Sequence, residues 1–159
     1  MSGCEAWFYH LERSGVDEVL PELLEKTLAR GWKAIVRAPG PQRLEALDAH
    51  LWTYRDDSFL PHGLAHEPGA ERQPILLGSE PGSNPNEAQA LFLVEASEAG
   101  PLDGFERCVV LFDGGDPAQL ERARGHWKFV VGSGMEASYW RQTEAGWRII
   151  TKSSGRKQS

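Results

Sequence analysis

The sequence predicts an α/β protein, a single Rossmann-like domain whose mainly parallel central sheet is flanked by helices. First, short apolar runs typical of strands alternate along the chain with stretches of helical periodicity. Second, two of the later runs are almost continuously apolar, as expected of strands buried on both faces of a parallel sheet. Third, the 159 residues contain no internal repeat and no long linker. We therefore expect one domain over residues 1–152 and a flexible basic tail over 153–159.

The first part of the chain predicts two strands and two helices in alternation. Residues 6–11 form an apolar-aromatic run, which is typical of a strand. Apolar residues then recur every three or four positions over 16–28 and predict an amphipathic helix that ends at Gly31. Residues 32–38 predict a second strand. A second helix is predicted over 42–54, where leucines recur at helical spacing.

The middle of the chain predicts an irregular stretch followed by three strands. Residues 55–71 contain several prolines and glycines, so we expect no regular structure there. The runs at 74–77, 90–95 and 107–112 predict strands, and the last two are the nearly continuous apolar segments. The turn-rich residues 80–86 predict a surface loop.

The clearest helix start in the sequence lies at Asp116. This residue suits the N-cap, Pro117 suits the first helical position, and Gln119 completes a pattern like a capping box. We expect the helix to end at the glycine-rich residues 132–134. Its inner stripe is predicted from apolar residues at helical spacing, namely Leu120, Ala123, Trp127 and Val130 or Val131.

The last quarter of the chain is basic, and its pattern is mixed. Residues 138–142 and 147–151 predict either short strands or an irregular tail. Residues 1–118 hold 9 basic and 20 acidic residues, a net charge of −11, whereas residues 119–159 hold 8 basic and 3 acidic residues, a net charge of +5. An anionic partner would therefore dock on the C-terminal quarter. The alternative is a helix and tail whose cations are simply solvated.

The composition excludes several classes of protein. With 40% hydrophobic and 25% charged residues, the chain is neither disordered nor a collagen-like fibre. The net charge of −6 argues against a generally basic nucleic-acid coat. Two cysteines, Cys4 and Cys108, are too few for a disulfide framework, so we expect reduced thiols. We find no signal-peptide pattern and no apolar run long enough to cross a membrane, and therefore expect the cytoplasm.

The glycines that bind nucleotides in this fold class are missing from the expected turn. A dinucleotide site needs a glycine-rich turn after the first strand, but residues 10–15 read HLERSG, and Glu12 would repel a phosphate. The sequence also has no P-loop pattern and no nucleophile elbow. We therefore expect no cofactor and no catalytic residue.

Two polar clusters are candidates for metal or ligand sites. His62 and His66 have the spacing of a metal pair, with Glu67 beside them, but prolines and glycines predict a loop, so we expect no metal. Asp113 and Asp116 follow a strand at the edge where such sheets bind ligands. A turn followed by an N-cap explains both carboxylates more simply.

Two stretches have the composition of recognition surfaces. Arg124 and Lys128 share one face of the predicted helix, with Trp127 at the border of the apolar stripe, a pattern that suits an acidic peptide with an apolar anchor. The alternative is a core tryptophan between solvated charges. Residues 51–63 concentrate aromatic side chains at a helix end, among them Trp52, and either close over the core or form an interface.

Five segments, taken in order, resemble the chi subunit of bacterial DNA polymerase III holoenzyme. The resemblance covers about residues 6–147, and its most specific part is the LW…SFLPH block. The segments are Phe8–Leu11, Leu51–Trp52 with Ser58–His62, Gln73–Pro74, Val109–Phe112, and Ala123–Arg124 with Trp127–Lys128. The family fold is a Rossmann-like α/β domain without nucleotide chemistry, which agrees with the missing glycines.

The resemblance implies a non-catalytic adaptor in DNA replication. The family is an accessory of the clamp-loader complex, pairs with the psi subunit, and binds the acidic C-terminal tail of single-stranded DNA-binding protein. Contact with DNA would then be indirect. By matching positions, the tail would be held by Arg124, Trp127 and Lys128, where the family often has tyrosine at the middle position. The contact with psi or a helicase would be made by Trp52, Phe59, Leu60 and Pro61.

A rival hypothesis is a small α/β nucleotide-binding or hydrolytic enzyme that uses Asp113, Asp116 and His62. Saturable nucleotide binding would favour this rival over the adaptor. A third hypothesis, direct DNA binding by the basic C-terminal quarter, conflicts with the overall acidity of the chain.

Overall fold

The structure, a computed structural model, describes residues 4–12, 15–53, 60–78, 84–102, 104–143 and 146–153. In chain order its elements are β1 (Glu5–Leu11), α1 (Val16–Ala29), β2 (Ala34–Arg37), α2 (Pro41–Trp52), β3 (His62–Leu64), a short 3-10 helix (Ala70–Arg72), β4 (Ile75–Leu77), β5 (Ala90–Val94), β6 (Arg107–Asp113), α3 (Pro117–Gly132), β7 (Glu136–Thr143) and β8 (Gly146–Ser153). The predicted alternation of strands and helices is confirmed.

The strands form one sheet in the order β3-β4-β2-β5-β6-β1-β7-β8. All neighbours are parallel except β7 and β8, which pair in antiparallel fashion. Strand β1 lies between β6 and β7, so the first strand of the chain is in the interior of the sheet. The predicted class, α/β with a mainly parallel sheet, is confirmed, whereas the Rossmann-like description stays a prediction.

The helices cover both faces of the sheet because successive strand residues point to opposite sides. Tyr9 belongs to the apolar cluster that also contains the buried side chains of α1 and α2. Its neighbour Phe8 belongs to the second cluster, together with Ala123 and Val130 of α3. Helices α1 and α2 therefore pack on one face, and α3 packs on the other.

Two helices end at glycines in the left-handed backbone region. Gly31 has a φ of 88° and follows α1, and Gly134 has a φ of 82° and follows α3. After each glycine, a backbone N–H returns to a carbonyl of the last helical turn, from Trp32 to Thr27 and from Met135 to Val130. Both predicted helix ends are confirmed.

The start of α3 confirms the predicted N-cap but corrects the capping box. Asp116 Oδ1 accepts hydrogen bonds from the backbone N–H groups of Ala118 at 2.9 Å and Gln119 at 3.3 Å. The Gln119 side chain does not return to the Asp116 N–H. It accepts instead from the N–H of Asp113 at 2.8 Å, and so ties the end of β6 to the helix.

Helix α1 continues through Pro21, which cannot donate a backbone hydrogen bond. In a regular helix the carbonyl of Asp17 would accept from the N–H of residue 21. Here the carbonyl oxygen of Asp17 lies 2.6 Å from His50 Nε2 of α2, which donates to it. A side chain of the second helix thus replaces the missing bond of the first.

The region predicted to be irregular contains regular structure. Strand β3 lies within 55–71 and the 3-10 helix begins there, at Ala70. The sequence does not predict β3 because the strand has only three residues, one of them glycine. The late strands are longer than predicted, since β7 and β8 form a hairpin of eight residues each. Most of the predicted tail, 154–159, lies outside the described residues.

Among the described helices, none is long and apolar enough to cross a bilayer.

Candidate functional site

Helix α3 carries two pairs of basic or imidazole side chains at four-residue spacing. One pair, Arg122 and His126, forms hydrogen bonds with backbone carbonyls of the protein itself. Arg122 Nη2 donates to the carbonyl oxygen of Glu95 at 2.9 Å. His126 Nε2 donates to the carbonyl oxygens of Ser97 at 2.9 Å and Ala96 at 3.3 Å. These side chains hold the turn after β5 against the helix, so their role is structural.

The second pair, Arg124 and Lys128, is exposed. Within the described ranges, neither side chain has a hydrogen bond or an acidic partner. Because the two residues are four apart, they lie on one side of the helix. They therefore leave two positive charges available at the surface.

Arg124, Trp127 and Lys128 line a single groove of about 600 Å³. The groove lies between α3 and the β7–β8 hairpin. The structure thus brings the three predicted residues together. The other lining residues are His10, Glu12, Gly114, Leu120, Tyr139, Arg141, Ile150 and Thr151.

The apolar wall of the groove is built around Trp127. This half-buried ring packs edge-on against Phe8 at 5.2 Å and Tyr139 at 5.9 Å between ring centroids. Leu120 and the 51% exposed Ile150 complete the wall. The sequence offered a core tryptophan or a binding residue as alternatives, and the structure shows that Trp127 both packs against the core and lines the groove.

The floor of the groove is a network that joins β1 to β7. His10 Nδ1 lies 2.7 Å from the hydroxyl of Tyr139. Glu12 Oε2 accepts from Arg141 at 2.7 Å from Nη2 and 2.8 Å from Nε, and it lies 3.3 Å from His10 Nε2. A Cβ atom at Gly114 would overlap the His10 ring, so only glycine fits beside this network.

Burial and charge shift the pKa values of the groove floor. Burial, followed by the charge of Arg141, lowers the pKa of His10, and Glu12 partly opposes this. Burial raises the pKa of Tyr139, and Arg141 and Arg124 act in the opposite direction. Arg141, in the floor network, and Arg124, on α3, therefore both act on the same phenol. His10 is neutral near pH 7, and Tyr139 keeps its proton.

A second concavity, of about 550 Å³, lies at the carboxyl ends of β1 and β6, where sheets of this class usually bind ligands. Its cation, Arg43, is held by Asp17 Oδ1 at 2.7 Å and Glu95 Oε2 at 2.8 Å. The carboxylates around it are Glu12, Asp17, Glu18, Glu95 and Asp113. This acidic lining repels phosphate and does not support the nucleotide-binding hypothesis.

The other polar clusters have structural roles. Asp113 Oδ1 accepts from the N–H of Gly115 at 2.9 Å, and Asp116 caps α3, so both carboxylates belong to a turn and a cap. His62 lies buried in β3, with Nε2 3.2 Å from Asp48 Oδ1. In the parts of the chain that the structure describes, no group of three or more His, Cys, Asp or Glu residues could hold a metal ion.

Both cysteines are buried thiols. Burial, with the nearby charges of Glu5 and Glu106, raises the pKa of Cys4 to about 11. Burial also raises the pKa of Cys108. Neither thiol would ionise near neutral pH, so neither has the character of a catalytic nucleophile.

The aromatic stretch 51–63 is divided between surface and core. Trp52, the last residue of α2, is 54% exposed and packs against the His62 ring at 4.6 Å. Pro61 is half-buried, but Leu60 is only 2% exposed and belongs to the core cluster below α1 and α2. The predicted contact role of the Leu60 side chain is therefore corrected to a supporting one. Phe59 lies outside the described residues.

Comparisons with known proteins decide the family. The family model described as DNA polymerase III chi subunit, HolC, matches residues 4–138, which is most of the chain. The chain belongs to the DNA polymerase III chi subunit family. This confirms the predicted resemblance, and it agrees with the prediction of an accessory polymerase subunit without catalytic residues of its own.

Two curated relatives of the chi family are similar to this chain. The probable DNA polymerase III subunit chi of Rickettsia prowazekii is 26% identical over 112 residues, which cover 66% of this chain and 67% of the relative. The DNA polymerase III subunit chi of Pseudomonas aeruginosa is 28% identical over 112 residues, covering 70% of this chain and 76% of the relative.

Sequence reasoning missed the floor of the groove. His10, Glu12 and Arg141 are far apart in the chain, and no local pattern connects them. The register of the parallel pair β1–β7 places His10 beside Arg141. The match to the chi family ends at residue 138, so Tyr139 and Arg141 also lie beyond the matched region. Only the pairing of the two strands could have revealed this network.

Proposed function

We propose that this chi-family protein is a non-catalytic adaptor of the clamp-loader complex that binds the acidic C-terminal tail of single-stranded DNA-binding protein in the α3 groove. The observation that carries the proposal is the exposed pair Arg124 and Lys128, which has no acidic partner in the described ranges and lies beside Trp127. The cytoplasmic location and the Rossmann-like description of the fold are parts of the same proposal.

The groove suits a peptide that ends in an apolar residue. Arg124 and Lys128 would donate to the terminal carboxylate and to a neighbouring acidic side chain. The terminal apolar side chain would pack against Trp127, Leu120 and Ile150, where burial of apolar surface adds to the affinity. Because the cations are exposed, added salt should weaken the complex.

A direct test is binding of the host single-stranded DNA-binding protein, with and without its last residues, measured by calorimetry. We expect binding only when the tail is present, and loss of that binding in Lys128→Glu. The control is Lys26→Glu, which reverses an exposed helical lysine on the opposite face of the sheet. Equal affinity of wild type and Lys128→Glu for the intact partner would refute the proposed site.

The second surface of the proposed adaptor lies around Trp52 and Pro61. It contacts the psi subunit or a helicase, with Phe59 part of the same predicted surface. Trp52 packs on β3, at one edge of the sheet, whereas the α3 groove adjoins β7 and β8 at the other edge. Two partners could therefore bind at the same time without contacting each other.

This second assignment is tested by Trp52→Ala in a pull-down with the psi subunit. We expect loss of psi with full retention of tail binding, because Trp52 lies at the edge of the sheet opposite the α3 groove. Retention of psi by Trp52→Ala would contradict this surface without affecting the groove. The matched control is Trp127→Ala, for which the expected losses are reversed.

A further inference from the structure

We propose that Arg141 is a third cation of the α3 groove and that it pairs with Glu12 until a carboxylate of a bound peptide replaces Glu12. The groove would therefore select peptides with several carboxylates. This inference rests on the proposed function, since it concerns the same groove. It assigns a role to Glu12, which none of the five family-like segments includes, and to Arg141, which lies beyond the matched part of the chi family.

Arg141 is already engaged by a carboxylate of the protein itself. Both Nη2 and Nε of its guanidinium donate to Glu12 Oε2, at 2.7 and 2.8 Å. This is the geometry with which the groove would hold an acidic side chain of a peptide. Glu12 thus occupies the position that an incoming carboxylate would take.

The pair is accessible enough to exchange partners. The side chains of Arg141 and Glu12 are 50% and 38% exposed. An ion pair in water contributes little free energy, typically ~0–1 kcal/mol, so replacing Glu12 by another carboxylate costs little. A buried pair would resist such an exchange.

Glu12 keeps a partner when it releases Arg141. Its Oε2 lies 3.3 Å from His10 Nε2. Since His10 is neutral, it can accept from the Tyr139 hydroxyl at Nδ1 and donate from Nε2. The neutral imidazole therefore provides the alternative donor that Glu12 needs.

The third cation extends the positively charged lining of the groove from α3 to β7. Arg124, Arg141 and Tyr139 all line the groove, and the charges of both arginines lower the pKa of the Tyr139 phenol. Among the described residues that line the groove, Glu12 is the one acid beside three basic side chains, Arg124, Lys128 and Arg141. A peptide with one carboxylate near its end satisfies the α3 pair, whereas a run of carboxylates also reaches Arg141.

The test uses two synthetic peptides that end in phenylalanine with a free carboxylate. One carries three consecutive aspartates before the phenylalanine, and the other keeps only the last aspartate and has asparagine at the other two positions. For the wild-type protein we expect calorimetry to show tighter binding of the triaspartyl peptide. Glu12→Gln should bind the triaspartyl peptide roughly 3- to 10-fold more tightly, because Arg141 is then free, and should change the monoaspartyl affinity much less.

Arg141→Gln should remove the preference for the triaspartyl peptide. The matched control is Arg72→Gln, a change in an exposed arginine that pairs with the neighbouring Glu71 far from the groove. Urea unfolding of each variant checks that the fold is intact. Unchanged triaspartyl affinity in Glu12→Gln, or an unchanged preference in Arg141→Gln, would overturn the inference. If Lys128→Glu instead binds both peptides as tightly as wild type, the proposed function itself fails.

Discussion

The two sides of α3 carry the same spacing of side chains but differ in what those side chains contact. Arg122 and His126 donate to the carbonyls of the turn after β5. Arg124 and Lys128 have the same four-residue spacing, yet neither forms an ion pair with an acidic side chain in the ranges that the structure covers. The difference shows that spacing alone does not identify a binding surface. A basic pair becomes a candidate for binding when the fold leaves its charges unmatched.

The largest expected effect comes from removing each pair in turn. Arg124→Ala with Lys128→Ala should weaken binding of the acidic tail at least ~100-fold, because both carboxylate contacts are lost. Its stability should stay within about 0.5 kcal/mol of wild type. Arg122→Ala with His126→Ala should instead lower the free energy of unfolding by about 1–3 kcal/mol, because the hydrogen bonds of both side chains to the turn after β5 are lost, with unchanged affinity of the folded protein. Calorimetry and urea unfolding measure the two quantities, and the reverse pattern would contradict the comparison.

A steric change beside the groove floor should have the next largest effect. In Gly114→Ala the added Cβ atom meets the His10 ring, which the Tyr139 hydroxyl and Glu12 hold in place. We expect the free energy of unfolding to fall by about 1–3 kcal/mol, as for other overpacked sites. Urea unfolding checks this value.

Gly125→Ala is the matched control for that variant. Gly125 lies between the two pairs of α3 and has open space around it. Alanine there should raise the free energy of unfolding by roughly 0.5–1 kcal/mol, because glycine is the poorer helix former. If Gly125→Ala lowered the free energy of unfolding as much as Gly114→Ala, the loss at position 114 could not be assigned to the overlap with the His10 ring.

The N-cap of α3 supports both sides of the helix equally. Asp116→Ala removes an acceptor for two backbone N–H groups and should lower the free energy of unfolding by about 1 kcal/mol. Asp116→Asn should retain most of the cap. Thermal or urea unfolding measures the difference. A cost as large for Asp116→Asn as for Asp116→Ala would show that charge, and not the cap, supports the helix.

The smallest expected effect is the pH dependence of the free energy of unfolding that His10, in the groove floor, causes. Burial lowers the pKa of His10 in the folded protein, so the unfolded chain binds a proton more readily. The stability that neutral His10 provides is therefore complete above the ordinary histidine pKa and is lost as the pH falls through the lowered value. His10→Gln should flatten the decrease in the free energy of unfolding between neutral and mildly acidic pH. An unchanged slope in urea titrations at several pH values would contradict this cause.

Much of the fold could be predicted because its signals are local. The strands β5 and β6 are continuous apolar runs, and α3 begins at an aspartate followed by proline. Strand β3 could not be predicted in the same way, because three residues in a stretch of prolines and glycines give no periodicity. Its formation depends on pairing with β4, which is a tertiary contact.

The sequence predicts the part of the candidate site that lies on one helix, but not the part that depends on strand pairing. Arg124, Trp127 and Lys128 lie on one helix, so their spacing places them together. Glu12 and Arg141 meet through the alignment of two strands from opposite ends of the chain. The sequence also does not show which α3 pair is exposed for binding, since the carbonyls that accept from Arg122 and His126 belong to a turn distant in the chain.

The hydrogen bond from His50 to the Asp17 carbonyl, which replaces the bond missing at Pro21, couples the unfolding of α1 to that of α2. Because the Asp17 carbonyl relies on His50, the first helix is complete only while the second is docked. The two should therefore unfold as one cooperative unit, although a strand separates them in the chain. Amide protons of both helices would then exchange with solvent at similar rates, and His50→Ala would accelerate exchange in α1 as well as in its own helix.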